Sequence, residues 1–325
     1  MSSPTVPTPD APTPRALAGV TLALLGAGLF ATKGIVVKLA IAEGVDPLTT
    51  LTWRMLVAVP IFVAVGLFYY RRRRGALRPG DPPPLTRTSV LQTLAVGMLG
   101  YYVASYLDFQ ALEYISAQLD RLILLTYPFF VVLFGAIFFR RRVTTTMIAA
   151  LVMSWLGIAL IFAHDLQFEG KDVLLGSALV LLGAIAYAAY QIIAKPLIDR
   201  MGPQLFTSIA MSGAGPAVIV HFLLTHPVSD LAVGSSAIPL MLAIGTVSTV
   251  LPAYFTSGGI ALLGSERTAM IGNISPLVTV ALAISVLGEV FTLWHALGTA
   301  LVLGGVWLFS RKSRPRARIV EETAA

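Results

Sequence analysis

Residues 16–41 read ALAGVTLALLGAGLFATKGIVVKLAI, and Lys33 and Lys38 are the only charged side chains in this stretch. About 20 apolar residues are enough for a helix to cross the roughly 30 Å hydrocarbon layer of a bilayer. A cleaved signal peptide has a much shorter apolar run. The stretch therefore predicts a membrane-spanning helix. Residues 1–15, rich in Pro, Ser and Thr before it, are predicted to be a disordered tail.

The rest of the chain continues this composition. Of its 325 residues, 56% are hydrophobic and 12% are charged, about half the charged share of an average soluble domain. A soluble core of this length could not hide so much apolar surface from water, whereas lipid can solvate it. Because the apolar runs are continuous rather than alternating, a membrane barrel is excluded. The sequence predicts an all-α protein within a lipid bilayer.

Ten apolar runs long enough to cross the membrane follow one another along the chain. Turn or charge signals separate them, for example the sequence EGVDP at 43–47 and Gly202-Pro203. The predicted spans are 16–41, 48–70, 88–112, 116–139, 146–163, 173–194, 204–225, 237–262, 267–288 and 292–310.

Charge alternates between successive loops. Basic clusters that begin at Arg71, Arg140, Lys195 and Arg311 follow the second, fourth, sixth and tenth spans, and the loops between them are poor in Lys and Arg. The positive-inside rule therefore predicts a multi-pass inner-membrane protein with both termini in the cytoplasm and a basic cytoplasmic tail at 311–325. The net charge of +7 could indicate nucleic-acid binding. Because the basic clusters alternate with the span boundaries, we instead attribute them to the orientation of the chain in the membrane and predict no nucleic-acid partner.

The two halves of the chain repeat each other. The sequence LTYP at 125–128 matches NISP at 273–276, with the prolines 148 residues apart, and Gly157 and Gly305 have the same spacing. We predict two five-helix units, residues 16–165 and 173–310. Because five is an odd number, the second unit is inverted relative to the first, as in transporters that work by alternating access.

Further short motifs recur in the same order in each half. The first helix of each unit ends with a lysine, Lys38 or Lys195, and the next opens with a proline, Pro47 or Pro203. The fourth helix carries a proline and the fifth a late glycine. With this ordered set the chain resembles the EamA family of the drug/metabolite transporter superfamily over residues 16–310. It is similar to bacterial amino-acid exporters, including the aromatic amino-acid (YddG-type) group. The resemblance implies a ten-helix carrier of small metabolites, often an exporter.

Charged residues inside the spans are costly and are functional candidates. Counted from the turn near residues 114 and 115, Asp108 and Arg121 lie at equal depth, about 10 Å below the helix ends. Arg54 and Lys33 fall near the same level. We therefore predict an Asp108–Arg121 interaction and a basic vestibule that receives an anionic group. A cluster that only stabilises the fold is the alternative.

Tyrosines within the spans offer an apolar face and one hydroxyl, which suits a mostly apolar pocket. Prolines in the fourth and ninth spans leave backbone groups unpaired beside polar neighbours. The candidate substrate-binding residues are Lys33, Arg54, Tyr102, Tyr106, Asp108, Arg121, Tyr127, Tyr190, Gln191, Tyr254, Asn273 and Ser275, with Pro128 and Pro276 as hinges.

Several chemistries lack the residues that they need. Cysteine is absent, and the four histidines show no ligand spacing along the chain, so we predict no metal site. There is no phosphate-binding glycine-rich loop and no nucleophile–base pattern, so we predict no cofactor, no catalytic residue and no enzymatic activity. Small multidrug exporters that resemble this superfamily use a glutamate in the first helix. Lys33 occupies that helix here, which disfavours cation/proton exchange.

These observations favour a secondary transporter that exports small metabolites by alternating access between the two repeats, with amino acids of broad range as the preferred substrates. A carrier of cationic drugs or sugar phosphates, and a membrane sensor that transports nothing, are the alternatives. The expected partners are a small-molecule substrate and lipid. A monomer would suffice, and the oligomeric state is left open.

Overall fold

The computed structural model describes residues 14–75, 85–140, 143–168, 171–263, 265–272 and 274–312. The residues described within these ranges form helices and connecting turns, without a strand. The helices are α1 Pro14–Ala42, α2 Pro47–Gly75, α3 Arg87–Ala111, α4a Ala117–Leu124, α4b Tyr127–Phe139, α5 Thr145–Phe168, α6 Asp172–Met201, α7 Pro203–Thr225, α8 Ile238–Leu263, α9a Ser265–Gly272, α9b Ser275–Leu287 and α10 Leu293–Lys312.

Within the described ranges, eight helical segments are long and apolar enough to cross a membrane. The shorter apolar helices Ser275–Leu287 and Leu293–Phe309 occupy the places of the ninth and tenth predicted spans. Large apolar side chains such as Phe138, Leu224 and Trp307 are more than half exposed, as expected for surfaces that face lipid. The predicted all-α membrane fold is confirmed. Helix α1 already begins at Pro14 and α10 continues to Lys312, while the rest of both predicted tails, 1–13 and 313–325, lies outside the described residues.

Irregular elements recur at the spacing of the sequence repeat. A π-helical turn begins at Met98 within α3 and at Thr246 within α8, 148 residues apart. The breaks before α4b and α9b have the same spacing, with Pro128 and Pro276 in the first turn of each second segment. Arg140 and Gly288, which end these segments, both adopt positive φ. The two halves of the chain therefore have their π-turns and helix breaks at equivalent positions.

Glycines bring α5 and α10 into backbone contact. A Cβ atom on Gly157 would lie 2.5 Å from the carbonyl oxygen of Gly298, and one on Gly298 would lie 2.6 Å from that of Gly157. No real Cβ tolerates such distances to backbone, so each position requires glycine. Small residues allow two helices to approach this closely in a membrane, where van der Waals packing rather than the hydrophobic effect drives helix association. The pair joins the last helix of each half.

The far face is the end of the bundle where α1 ends and α10 begins, and the termini face is the opposite end. Three contacts close the far face. The ammonium of Lys38 donates to the carbonyl oxygen of Leu112 at 2.9 Å. The Glu289 carboxylate accepts from the backbone N–H groups of Ala117 (2.7 Å) and Gln118 (3.3 Å). A carboxylate at a helix N-terminus satisfies orphan donors and complements the helix dipole.

Candidate functional site

A cavity of about 540 Å³ lies inside the bundle. The helices that line it are α1, α2, α3, α4a, α4b, α6, α7, α8, α9a and α9b. Its size falls within the range of small-molecule sites. The charged residues of the site lie toward its far-face end. Lys33 precedes the end of α1 by nine residues, about 14 Å along the helix. Lining residues such as Ala23, Thr207 and Ile260 extend the cavity toward the termini face.

An ion pair between α1 and α3 lines this cavity. The Lys33 ammonium donates to Oδ2 of Asp108 at 2.7 Å, and the two side chains are 10% and 3% exposed. The other carboxylate oxygen, Oδ1, is buried and has no hydrogen-bond partner in the described chain. Because a buried acceptor without a partner is costly, the Lys33 ammonium is the main compensation for the Asp108 charge.

Arg54 brings a second positive charge to the cavity from α2. Its Nε donates to the hydroxyl of Thr249 at 2.9 Å, and its Nη1 donates to the hydroxyl of Ser105 at 3.0 Å. Both partners are neutral. Arg54 is 5% exposed, so its guanidinium is held rigidly between α3 and α8.

Arg121 and Asp108 form no ion pair or hydrogen bond with each other, although the Asp108 carboxylate interacts electrostatically with the Arg121 guanidinium. The interaction predicted between them is therefore not a direct contact. Nη2 of Arg121 instead donates to the hydroxyl of Ser275 at 2.7 Å. Equal depth on neighbouring helices did not fix which face each side chain occupies, and Lys33 reaches Asp108 from α1. The Nε of Arg121 is buried without a hydrogen-bond partner among the described residues.

Two phenylalanines separate the three cations. The Phe30 ring lies 5.0 Å from the Arg121 guanidinium carbon and 5.6 Å from the Lys33 ammonium. The Phe109 ring lies 5.8 Å from the Lys33 ammonium and 5.6 Å from the Arg54 guanidinium carbon. Aromatic faces attract cations, so these rings help to hold like charges near one another.

Positive charge exceeds negative charge on the cavity wall. Lys33 and Asp108 balance each other, whereas neither Arg54 nor Arg121 has a carboxylate within ion-pair distance in the described chain. Asp120 is buried beside Arg121 along α4a but does not line the cavity. An anionic group that enters the cavity would therefore meet two guanidiniums with neutral partners.

Tyrosines form one wall. Tyr101, Tyr127 and Tyr187 line the cavity. Tyr127 meets Tyr187 edge to face with ring centroids 5.0 Å apart. The buried Tyr190 stands behind them, stacking on Tyr187 and donating its hydroxyl proton to the Tyr101 hydroxyl at 3.1 Å. Tyr190 therefore positions the tyrosine wall and does not itself line the cavity.

Seven of the predicted residues line the cavity, six lie elsewhere, and Asn273 is outside the described residues. The lining set is Lys33, Arg54, Asp108, Arg121, Tyr127, Ser275 and Pro276. Tyr102 and Tyr106 pack against His221 of α7, to which the Tyr102 hydroxyl is hydrogen-bonded at 3.0 Å. Tyr254 packs on Phe62. Gln191 and Pro128 are outside the lining.

The sequence prediction missed polar lining residues in the two π-helical turns. Gly100 and Tyr101 in α3, and Ser248 and Thr249 in α8, line the cavity at equivalent positions 148 residues apart. A π-turn widens the helix locally and frequently marks a functional site. The repeat spacing could have indicated Thr249 as a lining residue, because it lies 148 positions after Tyr101. Threonine is common in helices, so its side-chain type alone did not suggest a place in the cavity wall.

A pair of histidines at the far face, His295 buried and His164 partly buried, was also missed. His164 and His295 approach the same carboxylate, Asp165, although 131 positions separate the two histidines along the chain. Ligand spacing within one segment could not reveal a cluster that two distant helices build. This cluster lies apart from the cavity, because α5 and α10 supply none of the described lining residues.

Comparison with known proteins gives consistent matches. The EamA-like transporter family matches twice, over residues 17–163 and 174–311. The uncharacterized transporter YcbK of Bacillus subtilis is 27% identical over 298 residues, covering 90% of this chain and 91% of the relative. YyaM of the same organism is 21% identical, covering 86% and 90%.

Two further matches are consistent with this family. The uncharacterized inner membrane transporter YicL of Salmonella typhimurium is 25% identical over 235 residues, covering 71% of this chain and 77% of the relative. A solved crystal structure aligns with a TM-score of 0.59 at 16% identity, covering 92% of this chain and 99% of the other. At that identity the structural match supports the fold alone.

Proposed function

The chain belongs to the EamA-like transporter family, and we propose that this multi-pass membrane protein is a secondary carrier that exports amino acids across the inner membrane. The substrate range includes aromatic and other neutral amino acids. The carrier works by alternating access between the units 16–165 and 173–310. Both termini lie in the cytoplasm, and no cofactor or catalytic step is needed.

One observation carries this proposal: two guanidiniums with neutral hydroxyl partners and the Asp108 carboxylate line one cavity beside a tyrosine wall. Arg54 and Arg121 supply the two guanidiniums. A guanidinium suits a carboxylate, and a carboxylate suits an ammonium group. An amino acid carries both groups. Its side chain would rest against Tyr127 and Tyr187, where apolar contacts discriminate weakly between neighbours in size.

The charges disfavour the alternative substrates. A permanent cation would meet Arg54 and Arg121, whose partners are neutral hydroxyls. A doubly charged sugar phosphate would meet the Asp108 carboxylate and would lose its hydration for only two guanidiniums without a paired carboxylate. A membrane sensor that transports nothing would not require a cavity of this volume inside the bundle. The zwitterion uses both kinds of group.

Alternating access fits the positions of the contacts. The cavity extends toward the termini face, while Lys38 and Glu289 close the far face by contacts to backbone. The proposed cycle breaks these far-face contacts and closes the termini-face end of the cavity. Pro128 and Pro276 serve as hinges, since both stand at helix breaks.

Uptake into proteoliposomes tests the proposal. Wild-type protein should give saturable exchange of several labelled neutral amino acids above that of protein-free liposomes. Arg121→Gln should raise KM roughly 10- to 150-fold, the equivalent of losing a charged hydrogen bond of about 1.5–3 kcal/mol. Lys195→Gln is the control, because this exposed lysine lies outside the cavity lining, and it should keep the wild-type KM. Absence of saturable flux for every amino acid would contradict the proposal.

A further inference from the structure

A compact cluster of metal-ligand side chains lies at the far-face end of α5 and α10, outside the substrate cavity. Nδ1 of His164 lies 3.1 Å from Oδ1 of Asp165, and Nε2 of His295 lies 3.2 Å from the same oxygen. One ligand atom from each of the three residues lies within 4.8 Å of the other two. Neutral imidazoles and a carboxylate form a common ligand set for first-row transition metals.

The spacing matches a metal site. With metal–nitrogen and metal–oxygen distances of about 2.0–2.2 Å, two ligands of a tetrahedral ion lie about 3.3–3.5 Å apart. The two measured separations are within a few tenths of an ångström of this value. The rings of His164 and His295 meet at 78° with centroids 5.2 Å apart, so they point toward Asp165 from different directions. Three protein ligands leave a fourth position for water or another donor.

The surroundings orient the ligands. The hydroxyl of Thr292 lies 2.8 Å from Nδ1 of His295, which leaves Nε2 of that ring facing Asp165. In the tautomer whose Nδ1–H donates to this hydroxyl, the ring is oriented as metal-binding histidines typically are. Asp165 is 2% exposed, and its Oδ2 is buried with no hydrogen-bond partner in the described chain. A cation between the three side chains would compensate for that buried carboxylate.

We propose that His164, Asp165 and His295 bind one divalent transition-metal ion, for which Zn²⁺ is the best candidate. The ion would join α5 of the first half to α10 of the second half at the far face. Gly157 and Gly298 already bring these helices into backbone contact nearer the middle of the bundle. The site is therefore a clamp between the last helices of the two halves, and it is independent of which substrate the cavity takes.

Metal content of the purified protein tests the site directly. The chain is prepared without a polyhistidine tag, stripped with chelator, dialysed against Zn²⁺ and analysed by elemental mass spectrometry. Wild-type protein should retain one Zn²⁺ per chain and show a higher melting temperature with Zn²⁺ than without it. His164→Gln and Asp165→Asn should lose both the ion and the thermal shift. Thr292→Val should weaken Zn²⁺ affinity by about 10- to 100-fold.

His226→Gln is the matched control. His226 also faces a carboxylate, with Nε2 3.6 Å from Oδ1 of Asp46, but this pair belongs to no three-ligand cluster in the described chain. This variant should keep the bound ion. His164 is 16% exposed in its side chain, so its replacement leaves a protein whose metal-free melting temperature can be compared with wild type. Wild-type protein that retains no stoichiometric Zn²⁺, or retention that survives His164→Gln, would overturn the proposal.

Discussion

The Asp108 carboxylate on α3 accepts a hydrogen bond from the Lys33 ammonium on α1. Counting residues from a helix end put Lys33, Arg54, Asp108 and Arg121 near one level of the membrane, and all four line one cavity in the structure. It could not establish the partners, because a difference of one residue rotates a helical side chain by about 100° around the axis. Partner choice is decided by rotation and tertiary packing, which the sequence pattern of four separate spans does not report.

The Lys33–Asp108 pair should be strongly coupled in stability. Asp108→Asn leaves the Lys33 ammonium buried without its counter-ion and should destabilise the protein by about 3–5 kcal/mol. Lys33→Met should have a similar cost, and the double variant should cost much less than the sum. A double-mutant cycle measured by unfolding in detergent checks this.

The exposed pair Lys195–Asp199 supplies the control for that cycle. Its atoms are 2.9 Å apart, close to the Lys33–Asp108 distance, but its side chains are 71% and 63% exposed. An exposed pair one helical turn apart is worth about 0.3–0.5 kcal/mol. Similar coupling energies for the two pairs would mean that burial does not make Lys33–Asp108 special.

Two helices that the sequence presents as single spans are each divided. The predicted ranges 116–139 and 267–288 have the right positions, but turns separate α4a from α4b and α9a from α9b. Pro128 and Pro276 were the visible signals of these breaks. The π-turns in α3 and α8 had no comparable signal, since no single residue type causes an extra residue in a helical turn.

Broken helices that line the cavity should be reachable by water-soluble reagents. On this naturally cysteine-free chain, Tyr127→Cys and Ser275→Cys should react with a polar thiol reagent, and a saturating neutral amino acid should slow the reaction. Leu133→Cys, in the middle of the same α4b helix but 48% exposed and outside the cavity lining, should stay unreactive. Equal reactivity at all three positions would remove these helix breaks from the transport path.

Close packing of α5 on α10 should make Gly157 intolerant of even a methyl group. A Cβ there would lie 2.5 Å from the Gly298 carbonyl oxygen, and such overpacking typically costs about 1–3 kcal/mol. Gly28→Ala is the control, because a Cβ added at Gly28 would meet nothing within 4 Å; this change should stabilise α1 by about 0.4–1 kcal/mol. Melting temperatures that move in the same direction for both variants would contradict this packing account.

At the scale of the whole molecule, the internal repeat was the most productive sequence signal. The spacing of 148 residues, first visible in the two prolines, also relates the π-turns and the ends of α4b and α9b. A pattern that several helices share survives small errors at each helix end. Contacts between distant elements, such as His164 with His295, are not encoded in such a repeat and therefore escaped prediction.

The orientation of the chain in the membrane is a prediction of the loop charges. Arg74→Cys, in the basic end of α2, should be labelled by an impermeant thiol reagent only after cells are lysed, because that loop should be cytoplasmic. Asp230→Cys lies in the exposed far-face loop after α7 and should be labelled in intact cells. The reverse labelling pattern would place both termini outside the cell. The termini-face end of the cavity would then open to the outside, contrary to the proposed orientation.

The measurement that tests the account most directly is competition for transport of labelled phenylalanine in proteoliposomes. Recognition by Arg121 and Arg54 requires a carboxylate on the competitor, whereas the tyrosine wall asks only for an apolar side chain. Unlabelled leucine and tryptophan should therefore inhibit phenylalanine exchange. Phenethylamine, which has the same ring and amino group but no carboxylate, should inhibit it much less. Equal inhibition by phenethylamine would contradict carboxylate recognition and favour a carrier of organic cations.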